Sequence, residues 1–163
     1  ALPFTCQGSE NGLVIEGGKT LVWELVSELM AAGRRLDHLF IQVGGGALAS
    51  ACIQGLEEAR SLGLLDRLPA VHTVQTRGGY PLHRAWTRVA QRLLDRQWEI
   101  AGDARADLAA DLDRARIIRD QASPKRVGET LQYAATHRSQ FMWPWEEEPR
   151  SIATGILDDE TYD

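Results

Sequence analysis

Three consecutive glycines, Gly44, Gly45 and Gly46, followed by Ala47 and Leu48, are the residues whose type and spacing most directly prepare chemistry in this chain. They stand between the apolar run Leu39-Phe40-Ile41-Gln42-Val43 and a helical pattern, so they read as the turn between a strand and a helix. Glycines let the backbone take positive φ and approach an anion closely. The amides of such a turn and of the first helical turn point at one spot, aided by the helix dipole. The chemistry implied is phosphate binding by the backbone N–H groups of Gly44, Gly45, Gly46, Ala47 and Leu48. A glycine run also serves plain tight packing of helix on strand, and for three glycines taken alone both readings stand. The other nucleotide fingerprints fit worse. A P-loop needs G-x-x-x-x-G-K-[ST] and a dinucleotide site G-x-G-x-x-G, whereas Ala47, Leu48 and Ala49 follow Gly46.

The elements that must position this turn follow from hydrophobic periodicity. Residues 1–18 are rich in Gly, Pro, Ser and Asn and read as loops around a short extended piece at Leu13-Val14-Ile15. From Thr20, a candidate cap, Val22, Leu25, Val26, Leu29 and Met30 recur at helical steps, and Gly33 sits where a helix would stop. The run 39–43 is apolar on both faces, as expected of a strand buried between helix layers. A helix over 47–62 carries Leu48, Cys52, Ile53 and Leu56 on one side, and a second strand over 71–76 ends at Gly78 and Gly79. Strand, turn, helix, strand is a βαβ unit with parallel strands. Three more helices are expected, over 81–98 on the stripe Leu82, Trp86, Val89 and Leu93, over 104–120 on Leu108, Leu112, Ala115 and Ile118, and over 127–138. The fold class is α/β, a partial three-layer αβα arrangement with a parallel sheet core plus additional C-terminal helices. One domain over 1–163 is expected, as an interior or C-terminal piece of a larger enzyme.

Composition narrows the function. The net charge of −5 and the scattering of Lys and Arg among acids leave no basic stripe for a nucleic acid. No run approaches the roughly 20 apolar residues that span a bilayer, and no secretory leader pattern opens the chain, so a soluble, cytoplasmic protein is expected. Cys6 and Cys52 lack CxxC spacing and read as reduced thiols.

The four histidines His38, His72, His83 and His137 have no i, i+4 partner, so no metal site is expected from spacing. No G-x-S-x-G elbow is present. The acids Glu146 to Glu148 and Asp158 to Glu160 read as solvated faces, and Trp143 and Trp145 as packing residues.

With these features assigned, the stretch Glu16-Gly17-Gly18-Lys19-Thr20, a helix, Leu36-Asp37, an apolar strand, GGGALA and the strand VHTVQTRGGYPL resemble the second half of fold-type-II pyridoxal-phosphate enzymes. These form the tryptophan synthase β-like superfamily, and the closest flavour is threonine synthase or threonine dehydratase. PRSIATGILDDETYD is similar to their later T-I-A-x-G segment. The likeness covers 11–85 well and 149–163 fairly; 88–148 carries no diagnostic motif.

The resemblance implies that Gly44, Gly45, Gly46, Ala47 and Leu48 cradle the phosphate of pyridoxal 5′-phosphate, with Glu16 and Thr154 as cofactor-edge candidates. It also implies an amino-acid substrate and a homodimer. Two departures stand out. Ala47 occupies a place often held by a fourth glycine, which matters little where backbone donors bind. The Schiff-base lysine of a Ser-x-Lys motif does not precede Gly44: Lys19, the lysine before the loop, reads as solvated or backbone-bonding, and Lys125 in Ser123-Pro124-Lys125 as a surface turn residue. No catalytic residue is therefore assigned, and the isolated chain is expected to be inactive. The competing expectation is a non-catalytic α/β interaction or regulatory module, pairing with a chain that supplies the lysine.

Overall fold

The computed structural model describes residues 12–94 and 108–157. In order, they form α1 (Gly12–Ala31), β1 (His38–Gln42), α2 (Ala47–Ser61), β2 (Ala70–Val74), α3 (Pro81–Leu94), α4 (Leu108–Gln121) and α5 (Pro124–Thr136), followed by two 3-10 turns, Arg138–Gln140 and Thr154–Ile156. Contacts divide the chain between Gln75 and Thr76 into two compact units.

The first unit is the α/β part. β1 and β2 pair in parallel, His38 opposite Ala70 through Gln42 opposite Val74, with α2 as the crossover. Asp37 fastens the start of the pair, since its backbone O accepts from Ala70 N at 2.9 Å while its carboxylate binds both Arg35 and Arg67. Those two guanidiniums, Arg67 first, hold the Asp37 carboxyl below its ordinary range. Strand alternation puts Ile41 and Val43 in the core, at 5% and 2% exposure, and leaves Phe40 67% exposed on the other face. The expectation of a strand covered on both sides thus holds for alternate residues only.

α1 begins at Gly12, so 12–18 are helical, and Thr20 lies inside the helix with its hydroxyl donating to the Gly17 carbonyl. Local glycine content argued for a loop, but packing overrides propensity. A β-carbon on Gly18 would stand 2.7 Å from that of Ala51, and one on Gly55 would stand 3.1 Å from that of Val22. Both contacts step forward together, so α1 and α2 run parallel with their backbones close, burying Val22, Val26, Cys52 and Leu56. The helix ends where Gly33, at φ +59°, turns the chain.

The second unit is helical. In α3 the buried residues are Pro81, Arg84, Ala85, Thr87, Ala90, Gln91 and Leu93, whereas Leu82, Trp86 and Val89 of the expected stripe are half-buried. Arg84 explains the rotation: its guanidinium lies 4.3 Å from the Trp143 ring centroid and 3.8 Å from that of Trp145. It also pairs with Glu146 at 3.0 Å and donates to the Trp143 carbonyl at 2.8 Å. Glu146, expected on a solvated face, is thereby an anchor; its carboxyl is held low by the Trp143 indole N–H and by Arg84. α5 starts three residues earlier than its periodicity indicates, because Ser123 caps it by accepting from Arg126 N at 3.2 Å and Pro124 fills the first turn. Its last turn is fixed by the Tyr133 ring, which carries Arg92 at 3.5 Å. In α4 none of the described side chains is buried; the expected starts and ends of α3 and α4 near 98 and 104 lie outside the described residues.

The α1–α2 contact predicts opposite outcomes at adjacent glycines. Gly18→Val should lower unfolding free energy by about 1–3 kcal/mol through overpacking. Gly17→Ala, where an added β-carbon meets nothing within 4 Å, should raise it by about 0.5–1 kcal/mol. Urea titration of both variants, read by circular dichroism, checks the pair.

Candidate phosphate-binding loop

The loop is built by the end of β1. Val43 carries the strand ladder one step further, its N–H donating to Val74 O at 2.8 Å, and its burial fixes where the chain leaves the sheet. Four residues later Ala47 begins α2, and the reversal rests on Gly46 at φ 98°, ψ −9°, a left-handed conformation that an L side chain rarely adopts. Gly46 is also the N-cap. Having no side chain it makes no capping bond, while its carbonyl accepts from Ser50 N at 2.9 Å.

The amides of the first helical turn therefore lack a helix acceptor and a side-chain cap. Among the described residues no acceptor meets the amides of Gly44 to Leu48. Gly45 and Leu48 are exposed and Gly44, Gly46 and Ala47 half-buried. No acid occupies the first turn of α2 to compete for the positive end of its dipole. The arrangement offers N–H donors to an anion and holds no acid or base of its own, so it can bind and orient but not transfer a proton.

The glycines at 78 and 79 contrast with it. A β-carbon on Gly78 would fall 2.3 Å from the Arg150 carbonyl, and one on Gly79 3.2 Å from Pro149 Cβ. That turn is filled by protein backbone, whereas a β-carbon on Gly46 meets nothing within 4 Å.

Of the other sequence-derived site residues, Glu16 belongs to the first unit and Thr154 to the second. Glu16 accepts from Lys19 Nζ at 2.7 Å, and the same nitrogen reaches Glu58 at 2.6 Å. The Glu16 carboxylate is thus held beside Glu58, eleven residues or about 16 Å along α2 from Ala47, and not at the glycine loop. Thr154 opens a 3-10 turn in the second unit and is exposed.

Lys19 corrects the sequence reading. It is 7% exposed rather than solvated, because the early start of α1 places it on the face toward α2. Its hydrogen bonds to Glu16 and then Glu58 push its pKa up, which keeps it protonated and unsuited to attack a carbonyl carbon. Lys125 is on the surface, in the first turn of α5, with Glu129 at 3.8 Å. Cys52 is a free thiol whose burial pushes its pKa up, an unreactive setting; Cys6 lies outside the described residues. Sequence reasoning missed Arg84 with its two tryptophans and the contact of His38 with His72, since the partners are 59 and 34 residues apart and no local spacing signals them.

No family model, curated protein or solved structure matches this chain.

The Lys19 clasp has a defined pH dependence. Its folded-state pKa is raised, so its stabilisation is complete below the unfolded lysine value of about 10.4 and disappears as pH climbs through the higher folded value. Lys19→Met should be less stable than the parent at pH 7 and 9, and the gap should narrow above about pH 10.5 in urea titrations. A gap unchanged to pH 11.5 would contradict the clasp.

Proposed function

We propose that residues Gly44 to Leu48 form the phosphate cradle of a pyridoxal-5′-phosphate-dependent lyase or transferase, cytoplasmic and acting on a hydroxy or thio amino acid in the manner of threonine dehydratase or threonine synthase. The observation that carries the phosphate part is the left-handed turn at Gly46, which leaves donors at the head of a crossover helix without an acceptor among the described residues. The pyridoxal part rests on the resemblance of the sequence around the loop.

The residues present fit the group's phosphate. Gly44 to Gly46 admit an anion close to the backbone, Ala47 and Leu48 contribute amides of the first turn, and the α2 dipole favours negative charge there. When bound, pyridoxal phosphate acts as the electron sink for chemistry at the amino acid's α-carbon. In this reading the chain fixes the phosphate and orients the ring, and supplies no lysine for covalent attachment, since Lys19 is committed to Glu16 and Glu58.

A second reading, a non-catalytic α/β interaction module, draws on the open face of the sheet, where Phe40 is 67% and Val74 46% exposed.

Ala47→Asp separates binding from folding. A carboxylate in the first turn of α2 should leave the thermal midpoint unchanged or raise stability by about 0.3–1 kcal/mol through the dipole. The same charge should weaken pyridoxal 5′-phosphate at least tenfold, about 1.4 kcal/mol. Calorimetric titration with pyridoxal 5′-phosphate, and with pyridoxal as the phosphate-free control, measures this; equal affinity of parent and variant overturns the cradle.

A further inference from the structure

The open face of the sheet carries a feature independent of the glycine loop. His38 Nδ1 lies 2.9 Å from His72 Nε2, across the two parallel strands. The register sets Phe40 opposite His72 and His38 opposite Ala70, so the two imidazoles are diagonal neighbours on one face. Phe40 stacks on His72 with centroids 4.5 Å apart and planes 15° from parallel, which steadies that ring. His38 is exposed and His72 half-buried, so solvent reaches the pair. It sits toward the amino ends of the strands, with His38 about 20 Å along β1 from Gly44.

We propose that His38 and His72 are a two-imidazole chelate for a divalent late transition metal of the nickel or copper class. Imidazole nitrogen suits these ions, and affinity in the Irving–Williams order rises through nickel to its maximum at copper. The spacing favours their geometry: with metal–nitrogen bonds of about 2.0–2.1 Å, two donors at right angles stand about 2.9 Å apart, whereas tetrahedral donors stand about 3.3 Å apart. A right-angle bite belongs to square-planar or octahedral ions and not to structural zinc.

Binding balances without a net proton. In the neutral pair one ring's N–H occupies the hydrogen bond. Chelation frees both facing lone pairs by moving that hydrogen to the outer nitrogen of the same ring, Nε2 of His38 or Nδ1 of His72. Among the described residues no third His, Cys, Asp or Glu joins the pair, so water fills the remaining positions of the ion. Because the donors come from two strands, bound metal fastens β1 to β2 and stabilises the folded unit by mass action.

The test is Ni²⁺ titration of the full chain, followed by the imidazole ¹⁵N resonances and by the thermal midpoint. Paramagnetic broadening should begin at His38 and His72, and the midpoint should rise with Ni²⁺. His38→Gln and His72→Gln should each lower Ni²⁺ affinity at least tenfold, the double variant should add little to either, and His83→Gln and His137→Gln should change nothing. Both rings lie outside the core, and unchanged helical circular dichroism of the variants confirms that folding is intact. Affinity within twofold of the parent in His38→Gln and His72→Gln, or broadening that starts at His83 or His137, overturns the proposal.

Discussion

The left-handed backbone at Gly46 is the constraint on which the α/β unit turns. It reverses the chain within three residues of Val43, so α2 can return along β1 and deliver β2 in parallel register. A residue with a β-carbon would be strained at φ 98°. The same turn that solves the connection leaves the head of α2 without a side-chain cap. Fold and candidate site are therefore one feature: the donors lack an acceptor among the described residues because the glycine that suits the turn has no side chain to cap the helix.

Around that turn, close approach and buried charge cooperate. Gly18 and Gly55 remove the side chains that would hold α1 away from α2, and Lys19 spans the seam to Glu58 while Glu16 takes up its remaining charge. Both carboxylates favour the charged ammonium, and of the two pairs the one to Glu58 joins the helices, since Glu16 shares α1 with Lys19. In the helical unit Arg84 plays the comparable part, its charge met by Glu146 and its flat faces by Trp143 and Trp145. Its Nε is buried without a hydrogen-bond partner among the described residues, so the stacking and the Glu146 pair offset a real desolvation cost.

What the sequence made legible was what depends on local pattern. Gly44 to Gly46 after an apolar run gave the strand–turn–helix, and Gly33 gave the end of α1, because turn chemistry is written in neighbouring residues. What it hid depends on distance. Gly17 and Gly18 read as loop residues until Ala51 is placed against Gly18, and Lys19 reads as solvated until Glu58 is placed beside it. The stripe Leu82, Trp86 and Val89 misjudged which side of α3 is buried because Arg84, a charged residue, is the one taken inward by tryptophans 59 and 61 positions away. Ser123-Pro124 reads locally as a turn and is the cap and first turn of α5, a case where one dipeptide signals both.

The phosphate cradle is the claim from which the functional reading follows, and backbone amide shifts report on it most directly. Inorganic phosphate added to millimolar concentration should move the N–H resonances of Gly44 to Leu48 together on one saturable curve, and leave those around Gly78 and Gly79, where protein backbone already fills the turn, in place. Unmoved resonances at Gly44 to Leu48, or equal shifts at both glycine turns, would contradict it.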